Sequence, residues 1–133
     1  MVVFSAMRKI IIFSSLLLLG VLWLGCKSTV TNISVTKYTR NATNLYPVEA
    51  VLDVRLQAIR MRSVQCTAVV GLQHYPLRRV KNLDNRWEGL IFVPTDMKAV
   101  DYWFKFDYEE NAFGAPKKAT HNSPVYRMEI LDK

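Results

Sequence analysis

With two cysteines and two histidines in 133 residues, the chain has few means of doing chemistry. A tetrahedral zinc site needs three or four Cys, His or carboxylate ligands, and neither a CxxC nor an HxxxH pair occurs, so no metal is expected. Two cysteines cannot form the disulfide framework of a small secreted scaffold. Serines are common, but none stands in a Gly-x-Ser-x-Gly elbow, and His74 and His121 both lie in turn or loop sequence. Nothing marks a catalytic triad, and the chain reads as non-enzymatic and without a cofactor. Lysine and arginine never form the run that nucleic-acid-binding tails use, which argues against a nucleic-acid partner. Beyond the N-terminal segment there is no helical period and no repeat of 20 to 50 residues.

Charge is missing from one long stretch. Arg8 and Lys9 are followed by fifteen uncharged residues, Ile10 to Leu24, and then by Gly25 and Cys26. A basic n-region before a short apolar run is the layout of a secretory signal; a membrane span requires about 18 to 20 apolar residues to cross a hydrocarbon core of about 30 Å. The preceding "MVVFSA" adds nothing to a signal, so both Met1 and Met7 stand as possible starts. The box Trp23-Leu24-Gly25-Cys26 resembles the cleavage site of bacterial lipoproteins. That resemblance implies a signal peptide over residues 1–25, a diacylglycerol on the sulfur of Cys26 with palmitate among its acyl chains, and a domain held on a membrane. It further implies the outer rather than the inner membrane, because Lys27 stands where Asp retains Gram-negative lipoproteins at the inner one. Two other readings of Cys26 stay open: a plain residue behind an uncleaved anchor, or a disulfide partner of Cys66.

Without Arg8 and Lys9, sixteen basic residues face eleven acidic ones, an excess of about +5 that favours anionic headgroups or acidic surface polymers. Residues 26–44 are rich in Ser, Thr and Asn and are expected to be a polar tether. As a flexible coil it would hold the domain about 23 Å from the lipid, and about 60 Å at full stretch. Its "VTNISVTKY" also has the Val, Ile and Thr content of an edge strand.

Residues 45–133 alternate. In "VEAVLDVRL", Val48, Ala50, Leu52, Val54 and Leu56 share one face; the parity then slips at Ile59 and Met61 and returns to even at Val64, Cys66, Ala68 and Val70. Such a slip requires a bulge or corner between Gln57 and Ser63, because a one-residue shift would otherwise turn the core face to solvent. "HYPLRRV", "RWEGLIFVP" and "VDYWFKFDYEE" follow as strands, and a long loop, "ENAFGAPKKATHNSP", leads to "VYRMEIL". About seven short strands with turns every 8 to 15 residues predict an all-β, antiparallel, immunoglobulin-like β-sandwich.

Gly71, Pro76-Leu77, Trp87 and the run Tyr102 to Phe106 occur in an order that resembles the early-set immunoglobulin-like modules of starch- and glycogen-acting proteins. The resemblance covers roughly sixty residues. It implies a sandwich fold and, as one option, glycan binding; the Trp-bearing turn of those modules is replaced here by "GLQHYPL". Trp103 falls on the polar parity with Asp101 and Lys105, and these three form the candidate ligand or partner surface, since an outward indole offers a rigid stacking plane and an N–H donor. On the plainer reading Trp103 only covers the sheet. Cys66, among Val64, Ala68 and Val70, reads as a buried apolar residue. Asp107, Glu109 and Glu110 read as a solvated strand end. Two functions follow: a lipoprotein whose sandwich binds another envelope protein, or a surface-anchored carbohydrate-binding module.

Overall fold

The computed structural model describes residues 28–54 and 58–133. The expected signal peptide, the lipid attachment at Cys26, and Arg55, Leu56 and Gln57 lie outside the described residues.

Alternation becomes nine strands: β1 (Thr29–Asn32), β2 (Lys37–Thr39), β3 (Leu45–Asp53), β4 (Gln65–Val70), β5 (Gln73–Arg79), β6 (Arg86–Phe92), β7 (Ala99–Glu110), β8 (Lys117–Asn122) and β9 (Tyr126–Leu131). They follow the order β1-β3-β6-β5-β4-β7-β9-β2, with β8 also on β7. The sheet curls so that β1-β3-β6 faces β4-β7-β8/β9-β2. β5 links the two layers on one side: its first part pairs with β4 through Pro76 and Leu77, and its end, Arg78 and Arg79, pairs with β6. The all-β sandwich is therefore present, with one parallel pairing, β2 on β9, in an otherwise antiparallel arrangement.

The apolar parity fills the space between the layers. Val48, Ala50 and Leu52 of β3, Cys66 and Ala68 of β4, Trp87 and Ile91 of β6, Tyr102, Phe104 and Phe106 of β7, and Met128 and Ile130 of β9 are all buried in one cluster. Trp87 meets Phe106 edge-on at 5.3 Å between ring centroids, an arrangement that brings the positive ring edge against a negative face. The parity slip is resolved as expected: Ile59 bridges Glu110, and a single 3-10 turn over Met61–Ser63 carries the chain from one layer to the other. Gly71 and Leu72 close the β4–β5 hairpin. Gly71 has φ 56°, the left-handed value that a two-residue turn beginning with glycine requires.

Two expectations are sharpened. Of the two readings of residues 26–44, the edge strand holds over the described part: β1 pairs with β3 from Thr29↔Asp53 to Asn32↔Ala50, and β2 pairs with β9. Asn32 of β1 donates from Nδ2 to the Tyr102 hydroxyl at 2.9 Å, bonding the first layer to the second. The Thr, Val and Ile that suit a strand outweigh the polar composition because β3 and β9 each offer an open edge. The second concerns the long loop, six residues of which form β8, paired with β7 from Lys105↔Asn122 to Glu110↔Lys117. Its "KKATHN" hid because a hairpin edge strand with both faces near water needs no apolar alternation. β8 and β9 continue along the same side of β7, separated by a bulge at Ser123-Pro124-Val125. There the Ser123 hydroxyl accepts the Phe104 N–H at 2.8 Å, and the register advances by one residue.

Strand directions sort the loops into two ends. β1 starts where β3, β5 and β7 finish and where β4, β6 and β8 begin. This entry end carries the β3–β4 corner, the β5–β6 loop and the β7–β8 loop. The far end carries Gly71-Leu72, the β2–β3 and β6–β7 connections, and the C-terminus.

Candidate functional site

Three faces bear on function, beginning with the outer face of β4-β7-β9. The alternation of β7 that buries Tyr102, Phe104 and Phe106 turns Asp101, Trp103 and Lys105 outward. The sequence-predicted trio is thus on one face, in one row along one strand. Asp101 is exposed and ion-paired with Arg127 of β9 at 3.0 Å; Lys105 pairs with Asp107 at 3.1 Å.

Trp103 is half-buried. It lies opposite Val69 of β4, which also pairs with His74 of β5. Val69 is only 3% exposed yet stands apart from the core cluster. Its cover must come from its own outer face, where Trp103 is the largest neighbour. The half-buried indole thus shares its face with a buried valine and lies along β7 between the Asp101–Arg127 and Lys105–Asp107 ion pairs. His74 and His121, expected in turn or loop sequence, are both in strands, β5 and β8.

The end of β7 is neutralised locally. Asp107 accepts from the Thr120 hydroxyl at 2.6 Å, and that bond, with Lys105 beside it, holds the Asp107 carboxyl below its usual value. Glu109 lies opposite Lys118 and 3.8 Å from Arg60, and Glu110 lies opposite Lys117. A shallow groove of about 500 Å³ runs over Gln65, Asp107, Glu109, Lys118 and Thr120. Its acids already have partners, as a solvated strand end should. Among the described residues no three Cys, His, Asp or Glu come together to hold a metal. Cys66 is a free, buried thiol, and burial pushes its pKa up to about 12, so little reactive thiolate forms at neutral pH.

A further surface escaped the sequence reading. On the outer face of β3 and β6, Leu45 pairs with Phe92 and Pro47 with Leu90; Leu45, Leu90 and Phe92 are all exposed. Beside them a groove of about 510 Å³ is lined by Pro47, Glu49, Pro76, Arg78, Glu88 and Leu90. Arg78 and Glu88 pair at its rim at 3.0 Å. The signal was present in "RWEGLIFVP": Trp87, Ile91 and Val93 occupy the odd parity, but Leu90 and Phe92 make the even one apolar too. A strand apolar on both faces either is covered on both or offers one to a partner.

No helix among the described residues is long and apolar enough to cross a membrane. No family model matches the chain, and neither a curated protein nor a solved structure is significantly similar to it.

Proposed function

We propose that this protein is a lipid-anchored, non-catalytic β-sandwich that binds another protein of a bacterial envelope. The anchor is the acyl-bearing sulfur of Cys26, and the binding surface is the outer face of β3 and β6. The observation that carries the second part is the exposed apolar strip of Leu45, Leu90 and Phe92 next to a groove with a charged rim. Apolar strips rimmed by polar residues are the usual composition of a protein-binding site. The anchor is supported by the basic, then apolar, then Gly-Cys layout of Arg8 to Cys26. Trp103, Lys105 and Asp101 form a secondary face, where the indole is already half-buried and both charged residues are ion-paired.

Each part has its own test. Cys26→Ala should abolish palmitate labelling and release or mislocalise the protein; unchanged labelling and membrane association would sink the anchor. For the surface, cross-linking in intact envelopes should capture a protein partner that Leu90→Glu/Phe92→Glu loses and Trp103→Ala keeps. Saturable glycan binding that depends on Trp103 would replace this reading with the carbohydrate-binding one.

A further inference from the structure

The position of β1 decides which way the domain faces. Lys27 alone separates Cys26 from Ser28, and trans-peptide geometry keeps the Cys26 α-carbon within about 7 Å of that of Ser28. Ser28 is itself buried, and Thr29 is already paired with Asp53. The slack of a free tether is therefore absent between anchor and sandwich. Resting on the lipid-anchor reading, the entry end must stand at the bilayer surface and the far end must point away from it.

The loops at the entry end have the composition such a position requires. Phe113, at the tip of the β7–β8 loop, is fully exposed. It is set among Ala112, Gly114, Ala115 and Pro116, small residues with nothing polar in their side chains, and is followed by Lys117 and Lys118. Leu83 of the β5–β6 loop, also exposed, stands at the same end beside Lys81. Arg62, Lys81, Lys117 and Lys118 have no ion-pair partner among the described residues. Asp53, Asp84 and Glu110 are at this end too, so the attraction to anionic lipid is concentrated where Phe113 adjoins the two lysines. An aromatic ring placed at headgroup depth with cations just behind it is how peripheral segments hold an interface.

We infer that the β7–β8 loop is a membrane-contact loop, with the Phe113 ring inserted among the headgroups of the leaflet that carries the Cys26 anchor and with Lys117 and Lys118 on anionic lipid phosphates. Lipid and loop then make a two-point attachment. The second point fixes orientation and leaves the outer face of β3 and β6 upright and open to a partner.

The full-length acylated protein, reconstituted in phosphatidylethanolamine/phosphatidylglycerol vesicles, tests this. A cysteine placed at Ala112→Cys or, at the far end, at Leu72→Cys is labelled with an environment-sensitive fluorophore. Cys66 is buried and protonated and Cys26 is capped, so the label goes to the introduced site. Expected are a blue shift and quenching by nitroxide-bearing lipids at 112 and neither at 72. Phe113→Ser and the charge reversal Lys117→Glu/Lys118→Glu should each cause a loss of quenching at 112. Protein that floats with the vesicles while position 112 stays in water, or is no more quenched than position 72, overturns the inference and leaves the anchor standing; quenching indifferent to both sets of substitutions also overturns it. Failure to float at all sinks the anchor and the inference together.

Discussion

Trp87 shows how much one side chain decides in a domain of this size. It is 1% exposed, packs edge-on against Phe106, and has the Arg79 guanidinium over its ring at 5.0 Å. The ring thus joins β6 to β7 across the core and holds β5 where that strand changes layers. Trp87→Ala should cost about 3–5 kcal/mol, the range for emptying a large aromatic site, measured by urea unfolding of the detergent-solubilised protein. A loss below about 1 kcal/mol would mean that the core collapses freely around the gap. Cys66 makes a second prediction at this scale. With its thiol pushed up to about 12 by burial, it should resist a thiol reagent in the folded protein and react on unfolding. Rapid modification of the native state would contradict its buried place. Gly89 is held small for a related reason: an added Cβ would meet Leu77 Cγ at 3.0 Å, where β5 leaves β4.

Among the elements, β1 and β8 are the informative ones: β1 lies in a polar segment that also had the content of an edge strand, and composition concealed β8. β1 is short and half exposed, and its attachment depends on the ladder to β3 together with the bond from Asn32 to Tyr102 across the layers. Asn32→Ala should lower stability by about 1 kcal/mol, the net worth of one such hydrogen bond. It should also speed amide exchange in β1 ahead of the central strands. Equal protection of β1 in both proteins would show that the bond is incidental. β3, β4, β6, β7 and β9 were legible because each must send alternate residues into a shared core, and that demand is written in the chain as a period of two. β8 sends little inward. It is held by backbone bonds to β7, so its sequence carries loop composition.

Over the whole molecule, ion pairs close the ends that hydrogen-bonded ladders leave open. At the far end Arg40 donates to Asp132 at 2.9 Å and to the Met97 carbonyl at 2.8 Å, tying the β2–β3 turn to the C-terminus and the β6–β7 connection. Arg40 and Lys98 hold the Asp132 carboxyl below its usual value of 3.8, and the Thr120 bond and Lys105 do the same for Asp107. For carboxyls depressed in the folded state, the unfolded chain takes up protons first as pH falls. Their contribution is therefore intact above 3.8 and disappears as pH drops from there through the folded values. Stability should stay nearly level from about pH 7 to pH 5 and decline below about pH 4. Asp107→Asn with Asp132→Asn should flatten that decline and lower the neutral plateau slightly, as both sites are solvent-exposed. A decline unaltered by the pair would assign the acid sensitivity elsewhere.

The basic, then apolar, then Gly-Cys layout, the all-β class, the core rows and the corner near residue 60 follow from local pattern alone. Each is a constraint that neighbouring residues impose on one another: charge before an apolar run, side chains alternating about a strand, a parity that must be restored. Long-range pairing is not local. That the stretch from Thr29 to Thr39 joins two sheet edges, that Trp103 lies over Val69, that Leu45 meets Phe92 in an uncovered strip, and that Phe113 shares an end with Ser28 all depend on which strands lie side by side. Nothing in a polar or mixed segment records its partner, because an open edge accepts any backbone whose donors and acceptors fit it. The Gly-Cys layout behind the proposed anchor is thus a property of the chain, and the direction in which the sandwich would face from such an anchor is a property of the fold.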